Sequence, residues 1–144
     1  MKKVGFIGLG NMGLPMAANL LKAGIEIDAF DISKESLQEA KKLGMNVKDS
    51  PNGVLENIDA LITMLPSNNA VNDVFIEGDI LEKLDRKVLV IESSTISPSL
   101  AKTVAAKAVL NEISILDAPV SGGVKGAELG TLTFIVGGKK PDLE

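Results

Sequence analysis

Near the start of the chain an apolar run, Val4-Gly5-Phe6-Ile7, passes directly into Gly8-Leu9-Gly10-Asn11-Met12-Gly13 and then into residues with helical spacing. A G-x-G-x-x-G segment between a strand and a helix can cradle a pyrophosphate. Gly8 permits the tight turn, Gly10 lets the backbone approach a phosphate that any Cβ would push away, and Gly13 allows the helix to pack closely on the strand. Amides and dipole at the helix start then favour an anion. About 20 residues further on, where a ribose-binding acid is needed, Asp31 closes a second apolar run, Ile25–Phe30. A carboxylate there accepts the 2′- and 3′-hydroxyls of an adenine ribose and repels a 2′-phosphate. Ile32 stands where an Arg could have gripped such a phosphate, so the expected cofactor is NAD in preference to NADP. The alternative for Asp31 is a helix cap or a solvated turn acid.

Other chemistries are excluded by composition. The 144 residues hold 15 Lys+Arg against 19 Asp+Glu, a formal charge of -4, with neither His nor Cys. A thiolate nucleophile, a Ser-His-Asp triad, a Cys/His zinc site and a disulfide are all impossible within it, and no metal site is expected. Catalysis would have to use Lys, Asp, Glu, Ser, Thr or a cofactor. The acidic balance, the lack of basic runs and the presence of only 4 Phe with no Tyr or Trp argue against nucleic acid as a partner. Apolar stretches are too short to span a bilayer, and MKKVGFIG lacks the apolar core of a signal peptide. A soluble cytoplasmic protein is expected, or one of the mitochondrial matrix if eukaryotic and processed.

The elements that must position these residues follow from the apolar pattern. Strand-length runs recur at Val4–Ile7, Ile25–Phe30, Ala60–Leu65, Val88–Ile91, Ile113–Leu116 and Leu132–Val136, most of them separated by helical segments. Continuous apolar strands belong in a parallel sheet covered on both faces. The expected class is therefore α/β, a Rossmann-type doubly wound, mostly parallel sheet with helices on both faces. One helix spans Asn11–Ala23, with Pro15 tolerable in its first turn and Gly24 ending it; Ser33 starts another that stops at Gly44, and Ser97-Pro98 starts a third. Lys139–Glu144 reads as the approach to a further helix. No linker or repeat divides the chain, and its mass suffices to bury roughly 68% of the unfolded surface. Residues 1–144 are expected to form one dinucleotide-binding domain.

Two strand ends and one loop remain. Leu65-Pro66 and Thr95 lie where parallel strands end, and can line the nicotinamide half of a ligand crevice or serve as loop and cap residues. At Ser121-Gly122-Gly123, glycine amides and a hydroxyl can converge on an anion, although the residues by themselves favour a flexible or tight loop leading into a hairpin-like return.

Taken in order, Gly5–Gly13, Met64-Leu65-Pro66, Ser94-Thr95-Ile96 and Asp117–Gly123, followed by Gly126-Ala127, Gly130-Thr131-Leu132 and Gly137-Gly138, resemble the β-hydroxyacid dehydrogenase family over essentially the whole chain. Within it the 3-hydroxyisobutyrate dehydrogenases are most similar, with tartronate semialdehyde reductases, or a stand-alone NAD-binding module, as alternatives. The resemblance implies NAD contacts at Gly8, Leu9, Gly10, Asn11, Met12, Gly13, Asp31, Leu65, Pro66, Asn69 and Thr95, and contacts from Ser121, Gly122 and Gly123 to the carboxylate of a small 3-hydroxy acid. It also implies a catalytic lysine, helped by an asparagine, on a helix beyond Glu144, and an all-helical second domain that makes a homodimer or larger assembly. Lys125 does not match that lysine and is given no role.

Overall fold

The computed structural model describes residues 1–144. Six strands form a parallel sheet: β1 (Lys3–Ile7), β2 (Glu26–Phe30), β3 (Asn46–Val47), β4 (Ala60–Thr63), β5 (Leu89–Glu92) and β6 (Ser114–Asp117), in the order β3-β2-β1-β4-β5-β6. Strand order reverses between β1 and β4, the switch point at which a doubly wound sheet opens a crevice beyond its carboxyl ends.

Alternation along the strands sends side chains to both faces. Val4 and Phe6 of β1 and Ala60 of β4 pack with Met16 and Ala17 of α1 (Gly13–Lys22) and Ala40 of α2 (Lys34–Leu43). On the other face Ile7, Leu61 and Val90 pack with Phe75, Ile80 and Leu81, which lie between β4 and β5. α3 (Asn68–Asn72) continues into a π-helical turn, Asp73–Glu77, before the short α4 (Ile80–Lys83). Val104 and Ala108 of α5 (Pro98–Leu110) close the same cluster.

Helix punctuation follows the expected chemistry. Ser33 Oγ accepts the Ser36 amide at 3.3 Å and Ser97 Oγ accepts the Leu100 amide at 3.3 Å, while Gly44 terminates α2 at a left-handed φ of 103°. β3 departs from the apolar pattern because polar side chains hold it. Asn46 Nδ2 donates to Asp28 Oδ1 at 3.1 Å and Glu26 Oε1 at 3.0 Å, and buried Asp28 pairs with Lys3 Nζ at 2.9 Å.

After β6 the chain differs from the expected apolar strand at Leu132–Val136. Only β8 (Thr133–Phe134) is paired as a strand, antiparallel to β7 (Val120–Ser121) in a separate two-stranded sheet, and one further bridge joins Asp117 to Gly137. The run lies outside the main sheet, and Phe134, Ile135 and Val136 are exposed. Between β7 and β8 stands α6 (Gly123–Leu129), tied to α1 where Asn19 Nδ2 donates to the Ala127 carbonyl at 2.6 Å. Lys125 lies on this helix. α7 (Lys140–Leu143) supplies the helix expected near the chain end.

Candidate nucleotide-binding cleft

The three loop glycines meet three different surroundings. Gly8 has a φ of +103°, and a Cβ built on it would stand 2.1 Å from the Met64 carbonyl oxygen; a Cβ at Gly13 would stand 1.8 Å from that of Gly8. Those two glycines let β1, β4 and α1 come together. Around Gly10, by contrast, a Cβ would meet nothing within 4 Å. No side chain caps the start of α1; the Leu14 amide donates to the Gly10 carbonyl at 3.1 Å, whereas the amides of Asn11, Met12 and Gly13 have no partner within the fold. Such a start, next to an unfilled cradle, fits an incoming phosphate.

Asp31 ties this loop to the end of β2. Its Oδ2 accepts the Leu9 amide at 2.7 Å and its Oδ1 accepts the Ser33 amide at 2.7 Å. Each carboxylate oxygen keeps a further lone pair, so the staple does not exhaust the acceptors a ribose would need.

A cleft of about 750 Å³ opens at the switch point, lined by Gly8, Gly10, Asn11, Met12, Gly13, Asp31, Leu65 and Pro66 from the sequence reading. Leu9 does not line it: its side chain is buried in the core, and it contributes its amide to Asp31. Asn69 and Thr95 are exposed and lie outside the lining, although Ala70 beside Asn69 belongs to it. Ser121, Gly122 and Gly123 are exposed at the junction of β7 and α6 and are not among the lining residues.

Sequence reasoning missed the opposite wall, formed by Pro51 and Asn52, by Asp73 and Val74 of the π turn, and by Gly78–Ile80. A usable signal was the Ser50-Pro51 pair, which starts a 3₁₀ turn (Pro51–Val54) just as Ser97-Pro98 starts α5; Ser50 Oγ accepts the Gly53 amide at 3.2 Å. Nothing local announces the rest. Lys107 of α5 donates to the carbonyls of Phe75, Ile76 and Gly78 at 2.7, 3.0 and 3.1 Å and pairs with Glu82 at 3.0 Å, anchoring that wall from behind.

Behind Leu65 lies a buried polar cluster. Glu92, 2% exposed, receives the Thr63 hydroxyl at Oε2 and the Ser94 amide at Oε1, the latter at 2.7 Å; the Ser94 hydroxyl in turn accepts the Leu65 amide at 2.7 Å. Burial pushes the Glu92 carboxyl above its ordinary range, the hydrogen bonds from Ser94 and Thr63 oppose that shift, and the neighbouring Asp117 adds to it. Asp117 is also raised, by burial. A carboxyl with a raised folded pKa binds its proton more tightly in the folded chain, so its contribution is complete below the unfolded value and is lost as pH climbs through the folded one. Denaturant melts above the ordinary carboxylate range should therefore show parent stability falling with pH relative to Glu92→Gln, which carries no charge to desolvate. A pH-independent difference between the two would contradict this.

The profile describing the NAD binding domain of 6-phosphogluconate dehydrogenase matches residues 3–144. A probable mitochondrial 3-hydroxyisobutyrate dehydrogenase of Dictyostelium discoideum is 44% identical over 142 residues, covering 98% of this chain and 44% of the relative. An NAD-dependent L-serine dehydrogenase of Pseudomonas aeruginosa is 41% identical over 145 residues, covering 100% of this chain and 49% of the relative. The solved structure of Mycobacterium tuberculosis 3-hydroxyisobutyrate dehydrogenase with L-serine superposes with a TM-score of 0.94 at 41% identity, covering 99% of this chain and 48% of that one. The chain thus spans about half, or less, of the length of these relatives. No helix is long and apolar enough to cross a membrane. The strand order, the open cradle at Gly10 and a profile match over nearly every residue agree: the chain belongs to the 6-phosphogluconate dehydrogenase-like β-hydroxyacid dehydrogenase family, as its NAD-binding domain.

Proposed function

We propose that residues 1–144 act as one dinucleotide-binding unit that holds NAD for the oxidation of a small 3-hydroxy acid to its semialdehyde. The observation that carries the reading is the unfilled space at Gly10 beside the uncapped start of α1, at the reversal of strand order. Bound NAD supplies a hydride acceptor at its nicotinamide. The chain's own residues bind and orient: the loop and α1 take the pyrophosphate, Asp31 takes the ribose hydroxyls, and Leu65 and Pro66 flank the nicotinamide half. Asn69 and Thr95 complete that half from its rim, and Ser121, Gly122 and Gly123 hold the substrate carboxylate. No side chain of this chain is assigned the alcohol proton.

The substrate class is supported by the names of the relatives. 3-Hydroxyisobutyrate and L-serine each carry a primary alcohol on the carbon next to the one bearing the carboxylate, and differ there in a methyl against an ammonium group. A site for the shared part accepts both, and the difference is a question of what faces that methyl. The test is NAD reduction by the chain joined to the remainder found in its relatives, with 3-hydroxyisobutyrate, L-serine, glycerate and 6-phosphogluconate. The expected result is turnover of the first, with L-serine second; turnover of 6-phosphogluconate alone would overturn the assignment. Assembly as a homodimer or larger oligomer is part of the same proposal.

Cofactor choice has its own test. Ile32 is 93% exposed, so an Arg can replace it without disturbing packing. Asp31→Ser combined with Ile32→Arg should lower NAD affinity at least about tenfold and make NADP the tighter ligand, because it removes a like charge from the 2′-phosphate and adds a fork donor. Calorimetric titration of both nucleotides checks the ranking, and an unchanged preference for NAD would count against Asp31 as the discriminating residue.

A further inference from the structure

The buried cluster behind the cleft is not accounted for by nucleotide contacts. Thr63 and Glu92 are register partners on β4 and β5, and Glu92 is in turn the register partner of Asp117 on β6. From there the connections run outward: Glu92 Oε1 receives the Ser94 amide, and the Ser94 hydroxyl receives the amide of Leu65, which lines the cleft. A buried carboxyl in the middle of a sheet is costly unless its acceptors are used. Here both oxygens are used, one by Thr63 at the carboxyl end of β4, directly before the cleft-lining Met64–Pro66, and one by Ser94 just past the end of β5.

We propose that Glu92 is a positioning residue for the nicotinamide end of the cleft: joined to Thr63 and to the Ser94 amide, it fixes the hydroxyl that receives the Leu65 amide and so sets where the Leu65-Pro66 turn stands against a bound nucleotide. The proposal rests on the reading of the cleft as an NAD site. It acts at one end only. The loop, Asp31 and α1, which hold the adenine half, have no hydrogen bond to the cluster.

The experiment titrates NADH and ADP separately against the 144-residue chain and its variants. Glu92→Ala should weaken NADH about tenfold and leave ADP within about twofold. Glu92→Gln, whose amide offers an acceptor to Ser94 and a donor to the Thr63 oxygen, should bind both within about twofold of the parent. Unchanged NADH affinity in Glu92→Ala, or equal losses of NADH and ADP, would overturn the proposal. Should Glu92→Ala fail to fold, Ser94→Ala removes the acceptor of the Leu65 amide directly and must show the same split. If the parent binds neither NADH nor ADP, the reading of the cleft fails, and Glu92 is then judged by hydrogen exchange at the Leu65 amide. That exchange should be about tenfold faster in Glu92→Ala or Ser94→Ala than in the parent and Glu92→Gln. Equal exchange in all of them refutes the positioning role.

Discussion

Gly10→Val is expected to leave the fold intact and to weaken NAD binding by about a hundredfold or more, equivalent to roughly 2.8 kcal/mol. The space a Cβ would enter at Gly10 is empty to 4 Å, and the residue does not need a left-handed backbone. The folded chain therefore has nothing to lose there beyond the ±0.5 kcal/mol or so typical of a surface substitution. A pyrophosphate drawn onto the loop has everything to lose, since the isopropyl group would occupy the approach to the backbone. Unchanged melting together with lost NAD binding is the signature, and retained binding would mean that the cradle is not a phosphate site.

Gly8→Ala should do the reverse and damage the fold first. The left-handed φ of +103° disfavours any side chain, and the new methyl would lie 2.1 Å from the Met64 carbonyl oxygen, which is backbone and cannot swing away. β1 and β4 would have to part where the Met64 amide donates to the Ile7 carbonyl at 3.0 Å. A loss of about 3 kcal/mol or more is expected, seen as a fall of roughly 10 °C in Tm. Weaker NAD binding would follow from the displaced loop. If Gly8→Ala melts like the parent, the account of how the loop is locked between β1 and β4 is wrong.

These two variants also show why the loop could be read from sequence. Its glycines, the run before it and the helix after it are consecutive, and each carries a local steric requirement. Asp31 was legible for the same reason, as the residue closing an apolar strand. The far wall was not: α3, the π turn and α4 are short, and they stand because Phe75, Ile80 and Leu81 fill the core and Lys107 reaches across from α5. The cluster around Glu92 was hidden by register. Thr63 and Glu92 are far apart along the chain and meet only when β4 and β5 align. At Leu132–Val136 apolar content misled, because those residues follow α6 onto an edge outside the main sheet.

The central claim, that the cleft at the β1–β4 switch point holds NAD through the open cradle at Gly10 and the acid at Asp31, is tested most directly by calorimetric titration of NAD and NADP against the 144-residue chain. The account predicts saturable binding of NAD with a single site, and NADP weaker by at least about tenfold, the ratio expected when a 2′-phosphate meets a carboxylate of like charge. Absence of NAD binding, or tighter binding of NADP, would contradict it.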